Sequence, residues 1–142
     1  MMAARISWPL KLIRRKTCYW ETKMPNIVTI FGYHAHIYYH DERERARATT
    51  LRESLRSNPD IRLGRWRDEP VGPHPAPMYQ VAFPVALFPT IVPWLMLNRD
   101  SLTVLVHPET NDDVVDHRDN ALWLGEKLNL NIAFLEARNT SV

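Results

Sequence analysis

Two histidines one residue apart, in Tyr33-His34-Ala35-His36-Ile37-Tyr38-Tyr39-His40, are the first feature of this chain able to do chemistry. In an extended strand the side chains alternate faces. His34, His36 and Tyr38 would therefore project to one side, and Ala35, Ile37 and Tyr39 to the other. Imidazoles at i and i+2 stand about 6.5 to 7 Å apart at the backbone and can lean onto one ion held about 2.0 to 2.1 Å from each ring nitrogen. The plainer reading is that strand histidines are half-buried polar residues with a hydrogen-bond partner. His74, His107 and His117 have to decide between the two.

The elements that must position these residues follow from periodicity and turn chemistry. Residues 26–39 are rich in β-branched and aromatic side chains, with the firm strand at about 33–39. Asp41 can cap a helix, with Glu44 at the third position of a capping box and Ala48, Leu51 and Leu55 as its apolar stripe. Ser57-Asn58-Pro59 ends it. The charged run from Asp41 to Arg47 reads as a solvated helix face. A second strand is expected over 61–66, with Arg65 and Arg67 near its end. Pro70, Pro73, Pro75 and Pro77 then exclude helix and central strand, so His74 sits in a stiff loop. A third strand covers 78–83, and a short or bent helix holds Pro89 and Pro93 before Asn98. A fourth strand over 102–107 places Thr103, Leu105 and His107 on one face and is expected to end at Pro108. A last helix, starting at Asn111 or Asp116, runs to about Lys127 with Ala121, Leu122 and Leu128 inward, and 130–135 is expected as a short edge strand.

This order is that of an α+β, ferredoxin-like split βαβ sandwich: an antiparallel sheet with helices on one face. Within it the first and third strands are expected as a parallel central pair, with the fourth antiparallel beside the first. His34, His74 and His107 then fall at one end of the sheet. His117 can join them, whereas His40 lies past the far end.

The chain of 142 residues is long enough for one core without disulfides, and its single Cys18 excludes an intrachain bridge. No segment is apolar over the length of a bilayer. Residues 1–23 carry a net charge of +5 and the rest −3. The body has no basic stripe with interleaved aromatics, so nucleic-acid binding is not expected. The basic front end, 1–25, reads as a tail, an upstream start with Met24 as initiator, or a mitochondrial presequence. The expected location is cytoplasmic, or mitochondrial if the presequence is real. The domain is expected over 26–136, with a tail over 137–142.

Imidazole-rich sites suit zinc, copper, iron or nickel, and non-haem iron often pairs two histidines with one carboxylate. Glu109 and Asp116 are the nearest carboxylates in sequence, and both read as surface or capping residues. No glycine-rich phosphate loop or G-x-S-x-G elbow is present.

The segments GYHAHIYY, GPHPAPMYQVAF, VPWLMLNR, LTVLVHPET and DHRDNALWLGEKLNL, in that order and spacing, resemble the DOPA 4,5-dioxygenase family over about 26–136. The resemblance implies a ferredoxin-like fold, a homodimer, and extradiol cleavage of a catechol by dioxygen on a histidine-bound metal, usually iron. It places the family's histidine-rich positions on His34, His36, His74, His107 and His117. On that basis the expected roles are iron(II), with zinc as the alternative, bound by His34, His36 and His107. His74 or His117 moves protons, a task suited to a group titrating near neutrality. Arg65 or Arg67 pairs with a substrate carboxylate, and Tyr38 and Tyr79 line the pocket. A catalytically silent dimeric module binding a small aromatic, and a zinc hydrolase, are the competing readings.

Overall fold

The computed structural model describes residues 28–140, so the basic front end with Cys18 and Met24 lies outside the described residues. The elements are β1 (Gly32–Tyr38), α1 (Glu42–Arg56), β2 (Arg62–Leu63), β3 (Met78–Phe83), a 3-10 turn over Val85–Leu87, α2 (Phe88–Asn98), β4 (Val104–Glu109), α3 (Asp113–Arg118), β5 (Leu122–Leu124) and α4 (Ile132–Asn139). Among the described residues no helix is long and apolar enough to cross a membrane.

One sheet runs in the order β2-β3-β1-β4-β5, every pairing antiparallel, and its first four strands have the ferredoxin-like arrangement. β1 and β3 are therefore antiparallel, not the parallel pair expected from the sequence. A split βαβ unit inserts a strand between the two its crossover links, and that inserted strand runs the opposite way. The consequence reaches the site: β3 starts beside the end of β1, with Tyr38 opposite Met78, and finishes beside its start, with Tyr33 opposite Phe83. The approach to β3 thus lies at the far end of the sheet from His34.

The α1 signals act as the sequence implied. Asp41 Oδ1 accepts from the Glu44 N–H at 2.8 Å, while Glu44 Oε2 reaches back to the His40 N–H at 2.8 Å. Ala48, Leu51 and Leu55 bury against the Ala35, Ile37 and Val81 face, and α2 adds Ile91, Val92 and Leu95 to the same core. A fully buried leucine of this kind contributes about 1.5 to 3 kcal/mol. The opposite face carries a smaller core of Tyr38, Ala76, Met78 and Leu105, roofed by residues of the proline-rich loop and the 121–130 segment.

β2 is shorter than the expected 61–66, and β4 continues through Pro108 to Glu109. Proline is tolerated there because β5 pairs only with residues 104–106, so no strand asks Pro108 for a donor. The C-terminal region departs further from expectation. Asp112 caps α3, accepting from Val114 and Val115 N–H at 3.1 Å each, and the helix stops at Arg118. Leu122–Leu124 is the edge strand, and 130–135 enters α4, capped by Asn131, instead of forming a strand. Short apolar runs are ambiguous between helix and strand, and pairing with β4 decided this one.

Asp116 is 1% exposed and accepts from the Thr110 N–H at 2.7 Å and the Thr110 hydroxyl at 2.8 and 2.9 Å. It clamps the β4–α3 turn and so places His117. Asp116→Ala is expected to lower unfolding free energy by about 3 kcal/mol, because the Thr110 donors lose a buried charged acceptor. An unchanged urea midpoint would show that the clamp does not hold this turn.

Candidate metal centre

The β1–β4 register sets His34 directly opposite His107, and His36 opposite Leu105. On the other side His34 faces Ala82, and His36 faces Gln80. All of these side chains stand on the face away from α1 and α2, because paired residues share a face and alternate with the buried Ala35, Ile37, Val104 and Val106. His34 and His107 ring centroids are 5.3 Å apart.

His74 arrives by a route the strand ends do not supply. The Val71–His74 turn closes with the His74 N–H on Val71 O at 3.0 Å, and Gly72 takes φ 59°, a left-handed conformation that a side chain would strain. The Asn131 N–H, at the cap of α4, holds Pro73 O at 2.8 Å. So fixed, the loop lies back across the sheet, with His74 Nδ1 2.7 Å from the Tyr38 hydroxyl and its ring 4.1 Å from that of His36. His74 thus reaches His36 over the face of β1, and His36 in turn joins it to His34 and His107, instead of all three meeting at one strand end. α3 adds His117, whose ring lies 4.0 Å from His107, 5.8 Å from His74 and 5.9 Å from His36. His40 is exposed, beyond the strand.

The ring nitrogens lie close enough together to share one ion. His36 Nε2 and His107 Nε2 are 3.1 Å apart. Two donors each about 2.0 to 2.1 Å from one ion lie about 2.9 to 3.4 Å from each other. Carbonyl oxygens only accept, so His107 donates Nδ1–H to Pro108 O at 2.7 Å, and His117 donates Nδ1–H to Asp113 O at 2.8 Å. In their neutral forms both rings therefore offer the Nε2 lone pair, the outer-layer orientation typical of metal-binding histidines. Among the described residues His36 Nδ1 is buried without a hydrogen-bond partner. Ligand atoms of His34, His36 and His107 lie within 4.8 Å of one another, and so do those of His36, His74 and His117. These histidines could hold a metal ion, and His36 belongs to both groups.

Burial governs their charge. It lowers His36 well below the usual imidazole range, reinforced by neighbouring imidazoles, and takes His107 to about 3 and His74 to about 4. His74 is thus a neutral base at pH 7 and does not titrate near neutrality as expected. Burial also lowers His34, partly offset by Glu109, whose Oε2 is 3.5 Å from His34 Nε2.

The substrate-facing residues expected from the sequence divide. Arg65 and Arg67 line a cavity of about 640 Å³ that His74 also lines. Tyr38 is on the histidine face but fully buried, with its hydroxyl hydrogen-bonded to His74. Tyr79 does not line the site: it points into the opposite core and donates to Ala48 O at 2.9 Å. Strand parity could have shown this, since Tyr79 alternates with Gln80, which faces His36. Arg138, also at the cavity, was missed because 137–142 read as a tail. Asn131 followed by Ile132 and Leu135 was the available helix signal.

Residues 33–134 match the Dopa 4,5-dioxygenase family. The chain belongs to that family. The matched region contains all of the clustered histidines. A DOPA 4,5-dioxygenase from Amanita muscaria is 33% identical over 132 residues, covering 86% of this chain and 58% of that protein. An uncharacterized 21.2 kDa protein from Botryotinia fuckeliana is 36% identical over 116 residues, covering 74% of this chain and 63% of its own length. The chain thus spans about six-tenths of the length of these curated relatives. A crystal structure of a candidate dioxygenase from Nostoc punctiforme is 53% identical, with a TM-score of 0.74, covering 77% of this chain and 94% of that one.

The histidine burial has a stability consequence. Unfolded imidazoles titrate near 6.5, and the folded ones are depressed, so the unfolded state binds more protons between these values. Stability should be complete above that window and fall as acid is added. The urea midpoint of chelator-treated protein is expected to drop between about pH 7.5 and about pH 5, with a shallower drop in His107→Gln. Identical slopes for the two proteins would count against a buried neutral His107.

Proposed function

We propose that this chain is a ring-cleaving dioxygenase that opens a catechol with dioxygen at a histidine-bound non-haem metal. The single observation supporting this most is the 3.1 Å spacing of His36 Nε2 and His107 Nε2, within a cluster whose outer rings are oriented by backbone carbonyls. Family membership supports the reaction class.

His36 and His107, with His34 as third donor, are the proposed ligands. Iron(II) bound there supplies coordination of the catechol oxygens and electron transfer to dioxygen. The protein's own part is orientation, exclusion of water and proton transfer. His36 is 2% exposed and His107 3%, so bulk water does not compete for their lone pairs. His74 is the proposed proton-transfer group. With Nδ1–H donated to the Tyr38 oxygen, its Nε2 lone pair takes a catechol hydroxyl proton and returns it during ring opening, while Tyr38 keeps its own proton and fixes the ring. His117 Nε2 faces the same space, held by Asp113 O, and completes the polar wall.

Full-length protein loaded anaerobically with iron(II), then given catechols and air, is expected to bind one metal per chain and form a yellow ring-opened product. His36→Ala and His107→Ala should each lose metal affinity by about 100-fold or more. Tyr38→Phe should keep the metal and lower kcat by about 10- to 100-fold. Folded, metal-loaded protein that opens no catechol would overturn the assignment, and His107→Ala with full metal content would overturn the ligand set.

A further inference from the structure

The cavity beside His74 has a charge that the ring-cleaving chemistry does not require. Arg65, Arg67 and Arg138 line it together with Gln80, and among the described residues no Asp or Glu does. Among the described residues these three guanidinium groups form no ion pair, whereas Arg45, Arg47, Arg56 and Arg118 all reach a carboxylate. Among the described residues Arg43, Arg52, Arg62 and Arg99 form none either, so what distinguishes these three is that they surround one concavity and form a local positive field there.

The backbone is built to produce this grouping. β2 and β3 pair Arg62 with Ala82 and Leu63 with Val81, and the Gly64 N–H donates to Gln80 O at 2.8 Å. The pairing resumes at Arg67 with Met78. Three residue steps from Gly64 to Arg67 therefore face two from Gln80 to Met78, which is a β-bulge. Bulges re-aim side chains beside sites. Here the bulge restores Arg67 to the face of Met78, Gln80 and His36 and brings Arg65 to the same cavity. Gly64 is needed at the start of the bulge, since a Cβ there would lie 3.3 Å from Gln80 Cβ and 3.3 Å from its carbonyl oxygen. From the other side α4 contributes Arg138, and its Phe134 ring packs 3.4 Å from the position a Cβ on Gly72 would take, closing the wall next to His74.

We infer that this cavity is a carboxylate subsite, and that the substrate is a catechol whose ring substituent ends in a carboxylate with no ammonium beside it. The inference rests on the ring-cleaving function proposed above. Guanidinium groups bind carboxylates in paired, charge-assisted hydrogen bonds. An ammonium on the same substituent would face three cations and find no anion in the wall. Because His74 belongs to both the imidazole cluster and the cavity, a catechol held at the cluster extends its substituent between the arginines.

The test compares 3,4-dihydroxyphenylacetate, DOPA, dopamine and 4-methylcatechol on the full iron(II)-loaded chain. It measures kcat/KM in air and, separately, Kd under anaerobic conditions from tryptophan fluorescence. The expected order places dihydroxyphenylacetate first, at least about tenfold above dopamine in both readouts, with DOPA between them. Arg65→Gln, Arg67→Gln and Arg138→Gln should each reduce the ratio of dihydroxyphenylacetate to 4-methylcatechol, by about tenfold for the pair of strongest contacts combined. Ring opening of all four catechols at similar kcat/KM and Kd would overturn the carboxylate subsite and leave the dioxygenase reading intact. If no catechol is opened, the dioxygenase reading fails, and the anaerobic Kd series still decides the subsite. Tighter binding of the anion that is lost in the arginine variants supports it, and equal binding rejects it.

Discussion

The hydrogen bond between the Tyr38 hydroxyl and His74 Nδ1 joins the two parts of the molecule on which the site depends. Tyr38 belongs to the central strand of a rigid sheet, and His74 to a loop that would otherwise project from its far end. With prolines at 70, 73, 75 and 77 the loop has few conformations to lose when it folds back. The 2.7 Å contact, the turn at Gly72 and the tie from Asn131 to Pro73 make one of those conformations the native one. Without that closure His36 would face solvent, and water would satisfy its lone pair and its N–H.

Closure has an electrostatic cost that explains much of the rest. Stacking imidazoles in a dry space is tolerable only while they are neutral, and burial holds His36, His74 and His107 in that form. A neutral imidazole exposes one lone pair and one N–H, and the direction of each must be fixed. Pro108 O and Asp113 O fix His107 and His117. Pro108 can serve because it sits where β4 has outrun β5, which frees its carbonyl from the sheet. The Asp116–Thr110 clamp then holds the turn that carries His117. What remains unpaired among the described residues at the centre is His36 Nδ1, a buried polar atom.

Much of this was legible in the residues. The His34/His36 spacing placed both rings on one face, the alternation of 102–107 placed His107 with them, and the Asp41 and Glu44 capping pattern placed α1 beneath the other face. His74 was harder: its neighbours are prolines, which say that the loop is stiff but not which way it folds. His34 and His107 do meet across the β1–β4 pair, but His74 joins them only through His36 and His117, and the expectation that all three fall at one strand end assumed a parallel β1–β3 pair. The C-terminal third was misread because Leu122–Leu124 and Ile132–Leu135 are short apolar runs, whose identity depends on what they pack against. Arg138 was lost with that misreading, and Tyr79 was assigned to the site although its parity sends it to the core.

Everything proposed about chemistry requires an ion among these rings, with His36 and His107 as its central donors. Diffraction at the iron absorption edge from crystals of the iron(II)-loaded full chain tests this most directly. The expected result is one anomalous peak about 2.0 to 2.3 Å from Nε2 of both His36 and His107. A peak bound elsewhere, or none beside His36, would contradict it.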